Sequence, residues 1–281
     1  MPPSRPRAPA APLPRLPEHV TKAPFDPEGR LFTPRTPRIV AARRLQRRRD
    51  RDRDRRFLAE GPQAVSAAMA AGVVEELFGT PAAVSRHASF ASGATLVDDE
   101  AIAALAETMH PQGLVAVCSQ VDVPLADVTV RRLVAVLADI RDPGNAGTIL
   151  RTADAAGAGA VVFAGDAVDP YNGKCVRASA GSLFNVDVVR EQSPLPALRA
   201  AGVRILAATG YGDVSLDGLI DDGSLGGPTA WLFGSEAHGL SEELLAAADE
   251  RVRVPIYGGA ESLNLAAAAA VCLYASARAQ R

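Results

Sequence analysis

The C-terminal half of the chain alternates short apolar runs with turn-forming residues. RLVAVLADI (132–140) is apolar almost throughout, which predicts a strand buried on both faces. Pro143 and Gly144 then force a turn, and Asn145 is placed to cap a helix running through Ala156. Further runs predict strands at AVVFAG (160–165), FNVDVV (184–189), VRILAAT (203–209), AWLFG (230–234) and VRVPI (252–256). Between them lie helical segments at 174–180, in PLPALRAAG, and in SEELLAAA (241–248), with a long alanine-rich helix at the end. Such an order predicts an α/β fold with a mostly parallel sheet covered on both faces, whose ligands gather beyond the strand C-termini.

The N-terminal half has a different texture. FLAEGPQAVSAAMAAG (57–72), VVEELFG (73–79), DDEAIAALAETM (98–109) and LVAVCSQ (114–120) alternate strand and helix character, predicting a small α/β unit over residues 39–121. Residues 1–38 are rich in Pro, Arg and Ala without apolar periodicity, the composition of a disordered extension. The remaining residues, 122–281, form the second unit, and the length of 281 residues suits two domains better than one.

Hydrophobic residues make up 48% of the chain and charged residues 22%, which is enough apolar material for a substantial core. The net charge of −2 argues against a nucleic-acid partner only until its distribution is considered. Between Arg43 and Arg56 the sequence RRLQRRRDRDRDRR carries nine arginines against three aspartates. The Asp/Arg alternation is compatible with a solvated, partly helical linker, but Arg43, Arg44, Arg47, Arg48 and Arg49 form a block able to hold RNA phosphates. Cys118, Cys175 and Cys272 are isolated, with neither zinc-ligand spacing nor a disulfide framework, so they read as free thiols and no metal is expected. No secretory signal and no convincing membrane span is visible, which points to the cytoplasm.

Nucleotide-binding fingerprints fail on inspection. Gly157-Ala-Gly159 is followed by Val162 where a third glycine belongs, Gly210-Tyr-Gly212 leads to DVSLDG rather than to a helix, and no phosphate-loop lysine motif occurs.

Three segments carry the candidate chemistry: Arg141-Asp-Pro-Gly-Asn145-Ala-Gly147-Thr-Ile-Leu-Arg151, LFGSEAHGLS (232–241) and VPIYGGAESLNLAAAAAV (254–271). In order and spacing they resemble the motifs of the SpoU (TrmH-type) RNA ribose 2′-O-methyltransferases of the SPOUT superfamily. The resemblance covers roughly the C-terminal half, and the order of elements around FLAEGP and VVEELF is similar to the L30e-like substrate-binding domain that precedes many such catalytic domains.

The resemblance implies a trefoil-knotted catalytic domain, a homodimer, and S-adenosylmethionine held by backbone groups of three loops. Matched by motif, it places Gly234, Val254 and Leu263 against the cofactor, with Thr209, Gly210 and Ile256 as neighbours. It gives catalytic or site-forming roles to Asn145, Arg151, Glu236, Ser262 and Asn264. Read from residue chemistry alone, Asn145 and Ser262 are equally good helix caps, and Gly258-Gly259 is an ordinary turn. The second motif departs from the family pattern Gly-Asn-Glu-Gly: here it is Gly234-Ser235-Glu236-Ala237, followed by His238. Alanine allows fewer backbone conformations than glycine, which bears on cofactor affinity. Arg151 is expected to stabilise a developing alkoxide or a neighbouring phosphate rather than act as base, because guanidinium stays protonated. The function implied is 2′-O-methylation of RNA, ribosomal ahead of transfer RNA, with an idle RNA-binding factor as the alternative of another class.

Overall fold

The computed structural model describes residues 30–91 and 93–281. The N-terminal unit contains α1 (Pro37–Arg44), α2 (Arg48–Asp54), β1 (Arg56–Glu60), α3 (Pro62–Ala70), β2 (Val74–Gly79), α4 (Pro81–Arg86), β3 (Ala94–Leu96), α5 (Asp99–Leu105) and β4 (Leu114–Ser119). Its four strands lie in the order β1-β4-β2-β3, with β4 antiparallel to both neighbours and β3 parallel to β2. Local chemistry sets the helix starts. Thr80 Oγ1 accepts the Ala83 N–H at 3.2 Å, and Asp98 Oδ1 accepts the Ala101 N–H at 2.7 Å.

Residues 1–29 of the expected disordered extension lie outside the described residues. Residues 30–38 differ from that expectation. Phe32 makes backbone hydrogen bonds with Leu96 and Asp98 beside β3, and α1 already begins at Pro37. The reason lies partly within the segment: Phe32 packs against a cluster of Ile39, Ala42, Leu45, Phe78, Val97, Ile102 and Leu105, and the Arg38 guanidinium donates to Glu76 and Thr95. At helical spacing Ile39, Ala42 and Leu45 share one side, and burying them fixes the helix that Pro37 begins.

The second unit runs through β5 (Leu133–Ala138), α6 (Pro143–Ala156), β6 (Ala160–Ala164), α7 (Gly173–Ala178), β7 (Asp187–Glu191), α8 (Leu195–Ala200), β8 (Arg204–Ala208), β9 (Val214–Ser215), α9 (Leu216–Asp221), β10 (Thr229–Phe233), α10 (Glu242–Ala247), β11 (Glu250–Arg253) and α11 (Leu265–Ala279). All seven strands are parallel, in the order β7-β6-β5-β10-β8-β11-β9. Strand β5 shows why its sequence is continuously apolar. Leu133, Ala135 and Leu137 enter one core layer while Val134, Val136 and Ala138 enter the layer on the opposite face.

Two local expectations need correction. DVSLDG does lead into a helix, since Val214 and Ser215 add an edge strand to β11 and α9 starts at Leu216. The strand expected at 184–189 begins only at Asp187, because residues 182–184 form a 3₁₀ turn that stacks Phe184 on Phe57 of the N-terminal sheet at 6.0 Å.

The two units share one core layer, in which Phe57 and Val65 belong to the same cluster as Ile149, Tyr171 and Leu183. Polar contacts lock the junction. Arg51 Nε lies 2.7 Å from Asp169 Oδ2, with both side chains buried. The Tyr171 hydroxyl donates to Asp122 Oδ1 and accepts the Val121 N–H, each at 2.8 Å. Arg190 on β7 reaches Asp52 on α2 at 2.8 Å, and Arg177 on α7 reaches Glu60 on β1 at 3.0 Å. Cys118, Cys175 and Cys272 are free and buried, and burial pushes the Cys272 thiol up to about 12. Among the described residues no helix is long and apolar enough to cross a membrane.

Candidate active site

The first motif sits at the β5–α6 corner. Its cap is Asp142 and not Asn145: Asp142 Oδ1 accepts the Asn145 N–H at 2.9 Å, while Asp142 Oδ2 receives Lys174 Nζ at 2.9 Å. These partners, Lys174 foremost and then the Asn145 N–H, hold the Asp142 carboxyl below the usual carboxylate range. Because another residue caps the helix, the Asn145 side chain is free to reach outward. Its Nδ2 donates to Glu236 Oε1 at 3.0 Å, and its Oδ1 accepts from Asn264 Nδ2 at 3.2 Å.

Asn264 in turn is the cap of α11, a role the sequence left open for Ser262. Its Oδ1 accepts the N–H groups of Ala266 at 2.9 Å and Ala267 at 3.3 Å. One chain of hydrogen bonds therefore runs from the α11 N-terminus through Asn264 and Asn145 to Glu236. It joins three motifs separated widely in sequence, and it uses both ends of each amide, so neither amide is free to flip without breaking it.

Beside this chain lies a cavity of about 350 Å³ at the C-terminal ends of β8, β10 and β11. Thr209, Gly210, Val254, Ile256 and Leu263 line it, with Glu236, Ser262 and Asn264. The structure thus gathers five of the six residues expected against a cofactor, and all the expected catalytic residues except Asn145 and Arg151 in its wall. Asn145 is attached to that wall through Glu236 and Asn264. Sequence reasoning missed Ala208, Phe233, Ser235, Glu261, Leu265 and Ala268. Only Ala268 carried a readable signal, being one helical turn beyond Asn264 on the same face.

Gly234 is buried and does not line the cavity. A Cβ there would collide with the carbonyl carbon of Gly239 and lie 2.5 Å from Leu240 N, so its glycine is required by the loop that folds back over it. Ser235 and Gly239 close that loop with paired backbone hydrogen bonds of 3.0 and 2.9 Å, and Ser235 Oγ accepts the His238 N–H at 3.3 Å. Ala237 has no positive φ, so alanine in place of the family's glycine costs no backbone strain.

Arg151 is not brought to this site within one chain. It lies six residues beyond Asn145 on α6, which turns it about 120° around the helix. It is exposed, and among the described residues it makes no ion pair.

The early arginines divide into two sets. Arg51, Arg53, Arg55 and Arg56 are engaged by Asp169, Asp50 and Asp54, Asp122 and Glu75 respectively, and Arg48 pairs with Asp52 at 3.6 Å. Arg43, Arg44 and Arg47 instead line an open groove of about 390 Å³ with Val40 and Gln46, with no carboxylate in its wall. Arg49 is exposed beside them.

Comparison with known proteins finds relatives over both units. The model of the SpoU rRNA Methylase family matches residues 132–274, and that of the MRM3-like substrate binding domain matches residues 36–116. The 23S rRNA (guanosine(2553)-2'-O)-methyltransferase RlmP of Bacillus subtilis (strain 168) is 34% identical over 236 residues, spanning 83% of this chain and 92% of that protein. The AdoMet-bound rRNA methyltransferase from Sinorhizobium meliloti superposes with a TM-score of 0.75 at 33% identity, covering 86% of this chain and 95% of its own. The SpoU methyltransferase AviRb from Streptomyces viridochromogenes, in complex with AdoMet, gives 0.71 at 29% identity, covering 87% and 98%. Sequence and fold agree: the chain belongs to the SpoU rRNA methylase family.

Proposed function

We propose that this protein transfers a methyl group from S-adenosylmethionine to a ribose 2′-hydroxyl of ribosomal RNA. The observation that carries the reading is the Asn264–Asn145–Glu236 chain at the edge of the cavity, which ties a candidate ribose-orienting group to a candidate cofactor pocket. Relatives with AdoMet and rRNA in their names support it.

The cavity fits the cofactor. Its volume falls in the range of about 300 to 1,000 Å³ common for small-molecule sites, and its wall combines apolar Val254, Ile256 and Leu263 with polar Thr209, Ser262 and Asn264. When bound, the cofactor supplies a methyl on a sulfonium sulfur, a leaving group already activated by its charge.

On transfer the 2′-hydroxyl proton passes to solvent, and the protein's own groups orient and stabilise the reacting ribose. With Oδ1 engaged by Asn264 and one Nδ2 proton by Glu236, Asn145 keeps a second N–H to hold a ribose oxygen. Arg151 stays cationic and stabilises the developing alkoxide and its neighbouring phosphate. In this reading Arg151 works in the site of the other subunit of a homodimer, which accounts for an exposed guanidinium that makes no ion pair among the described residues. Val271 and Tyr274 on α11, 43% and 52% exposed, offer an apolar strip for that partner. The trefoil knot belongs to the same reading and is supported by β8 lying between β10 and β11, both later in sequence. The N-terminal unit, read as an L30e-like domain, binds RNA, with Arg43, Arg44, Arg47 and Arg49 holding phosphates, and the enzyme works in the cytoplasm.

Transfer of labelled methyl from S-adenosylmethionine to total RNA, followed by mapping of the modified ribose, tests the proposal. A 2′-O-methyl group on ribosomal RNA is the expected outcome. Label in transfer RNA would redirect the substrate, and cofactor binding without transfer would mark an idle factor.

A further inference from the structure

Among the described residues three tyrosine rings are exposed, and two of them adjoin residues of the cavity wall in sequence. Tyr211 and Tyr257 are 96% and 84% exposed, and the third, Tyr274, lies on α11. Each of the first two follows directly on a residue of the cavity wall, Tyr211 on Gly210 and Tyr257 on Ile256, yet neither ring is part of that wall. They come from loops leaving β8 and β11, which are adjacent parallel strands, so both loops emerge at the same end of the sheet.

Neither loop is slack. Gly212 packs so closely on β11 that a Cβ would sit 2.5 Å from Arg253 N, and Arg253 Nη1 donates to the Gly212 carbonyl at 3.0 Å. The Tyr257 hydroxyl donates to the Asp217 carboxylate at the start of α9, which anchors the edge of the ring and leaves its faces in solvent. Exposed aromatic rings on anchored loops present large flat surfaces at small conformational cost, which suits stacking on planar heterocycles.

We propose that Tyr211 and Tyr257 form a stacking platform for an unstacked RNA base next to the nucleotide whose ribose enters the site. The proposal rests on the reading of the chain as an RNA methyltransferase. The position of the rings outside the cavity wall favours a base of the incoming RNA over the adenine of the cofactor.

The test is equilibrium binding by fluorescence anisotropy to an oligoadenylate of about twelve nucleotides, and to an abasic ribose-phosphate oligomer of equal length. Tyr211→Ala and Tyr257→Ala are each expected to weaken oligoadenylate binding by roughly 5- to 150-fold, the range of single base–aromatic stacks. The abasic oligomer should bind all variants alike, Tyr211→Trp should restore affinity, and S-adenosylmethionine affinity by calorimetry should not change. Equal loss on both oligomers, or no loss on oligoadenylate, overturns the platform. A fall in cofactor affinity alone would assign the rings to adenine, and a changed sedimentation mass would assign them to contact between chains; either result overturns it too. Binding is read without methyl transfer, so failure of the platform leaves wild-type transfer intact. Failure of the enzymatic reading would instead show as no transfer by the wild type.

Discussion

Asn264 and Asn145, 119 residues apart in sequence, are hydrogen-bonded side chain to side chain at 3.2 Å, and the same Asn264 caps the last helix. One residue thus fixes both the start of α11 and the direction in which Asn145 points. These two tasks use different atoms, so they are separable by substitution.

Asn264→Asp keeps the capping oxygen and replaces the donating Nδ2 by an acceptor facing Asn145 Oδ1. Methyl transfer should fall at least about tenfold, the scale of one broken charge-neutral hydrogen bond plus an orphaned partner, while the melting temperature stays near that of wild type. Asn264→Ala loses the cap as well and should melt about 2–4 °C lower. Equal melting temperatures for the two variants would separate the cap from Asn264.

If Arg151 serves the opposite subunit, Arg151→Ala and Asn264→Ala homodimers are both inactive, yet a mixed dimer contains one site with both native groups. Co-expression with two tags and purification of the heterodimer should recover about half of the wild-type sites per dimer. A heterodimer as inactive as its parents, with both parents folded and dimeric, would return Arg151 to its own subunit or remove it from the chemistry.

The arginine groove predicts a salt effect. Removing Arg43, Arg44 and Arg47 together should flatten the slope of log affinity against log salt by about 0.7 to 0.9 for each phosphate that is no longer neutralised. Arg56→Ala, which removes a residue already paired with Glu75, should leave the slope unchanged. Filter binding to ribosomal RNA across a salt series measures both.

At the junction of the two units, burial pushes the Asp122 carboxyl up, but the Tyr171 hydroxyl, Arg55 and Arg190 outweigh it and leave the group below its ordinary value. A depressed carboxylate contributes stability above its unfolded value near pH 4, and that stability is lost as pH falls through the folded value. Asp122→Asn should therefore unfold at lower urea than wild type at pH 7, with the gap closing below about pH 4. Arg51→Met leaves Asp169 buried without its partner and should cost about 3–5 kcal/mol by urea unfolding at neutral pH.

The sheet was legible because buried parallel strands announce themselves as continuous apolar runs, as in residues 132–140, and Asn145, Glu236 and Asn264 were legible through motif order. Their mutual hydrogen bonds were not, since capping chemistry reads the same for Asp142 or Asn145 and for Ser262 or Asn264 until the backbone is in place. Order in residues 30–38 was hidden because Phe32 and the Ile39, Ala42 and Leu45 face it packs against are set among arginines. The reason for Gly234 was hidden too, because the atoms that exclude its Cβ belong to a loop that returns five residues later.

The placement of β8 between β10 and β11 has a consequence for synthesis on the ribosome. Every residue of the cavity wall lies between Ala208 and Ala268, and β8 has no neighbouring strand on either side until the chain has emerged past β10 and then β11. The N-terminal sheet and β5 to β7 use only strands already made, so they can assemble while translation continues. A nascent chain stopped before Ser262 would hold the arginine groove and the first motif but no closed pocket. On the proposed reading, the capacity to take up a cofactor therefore follows the emergence of β10, β11 and the first turn of α11.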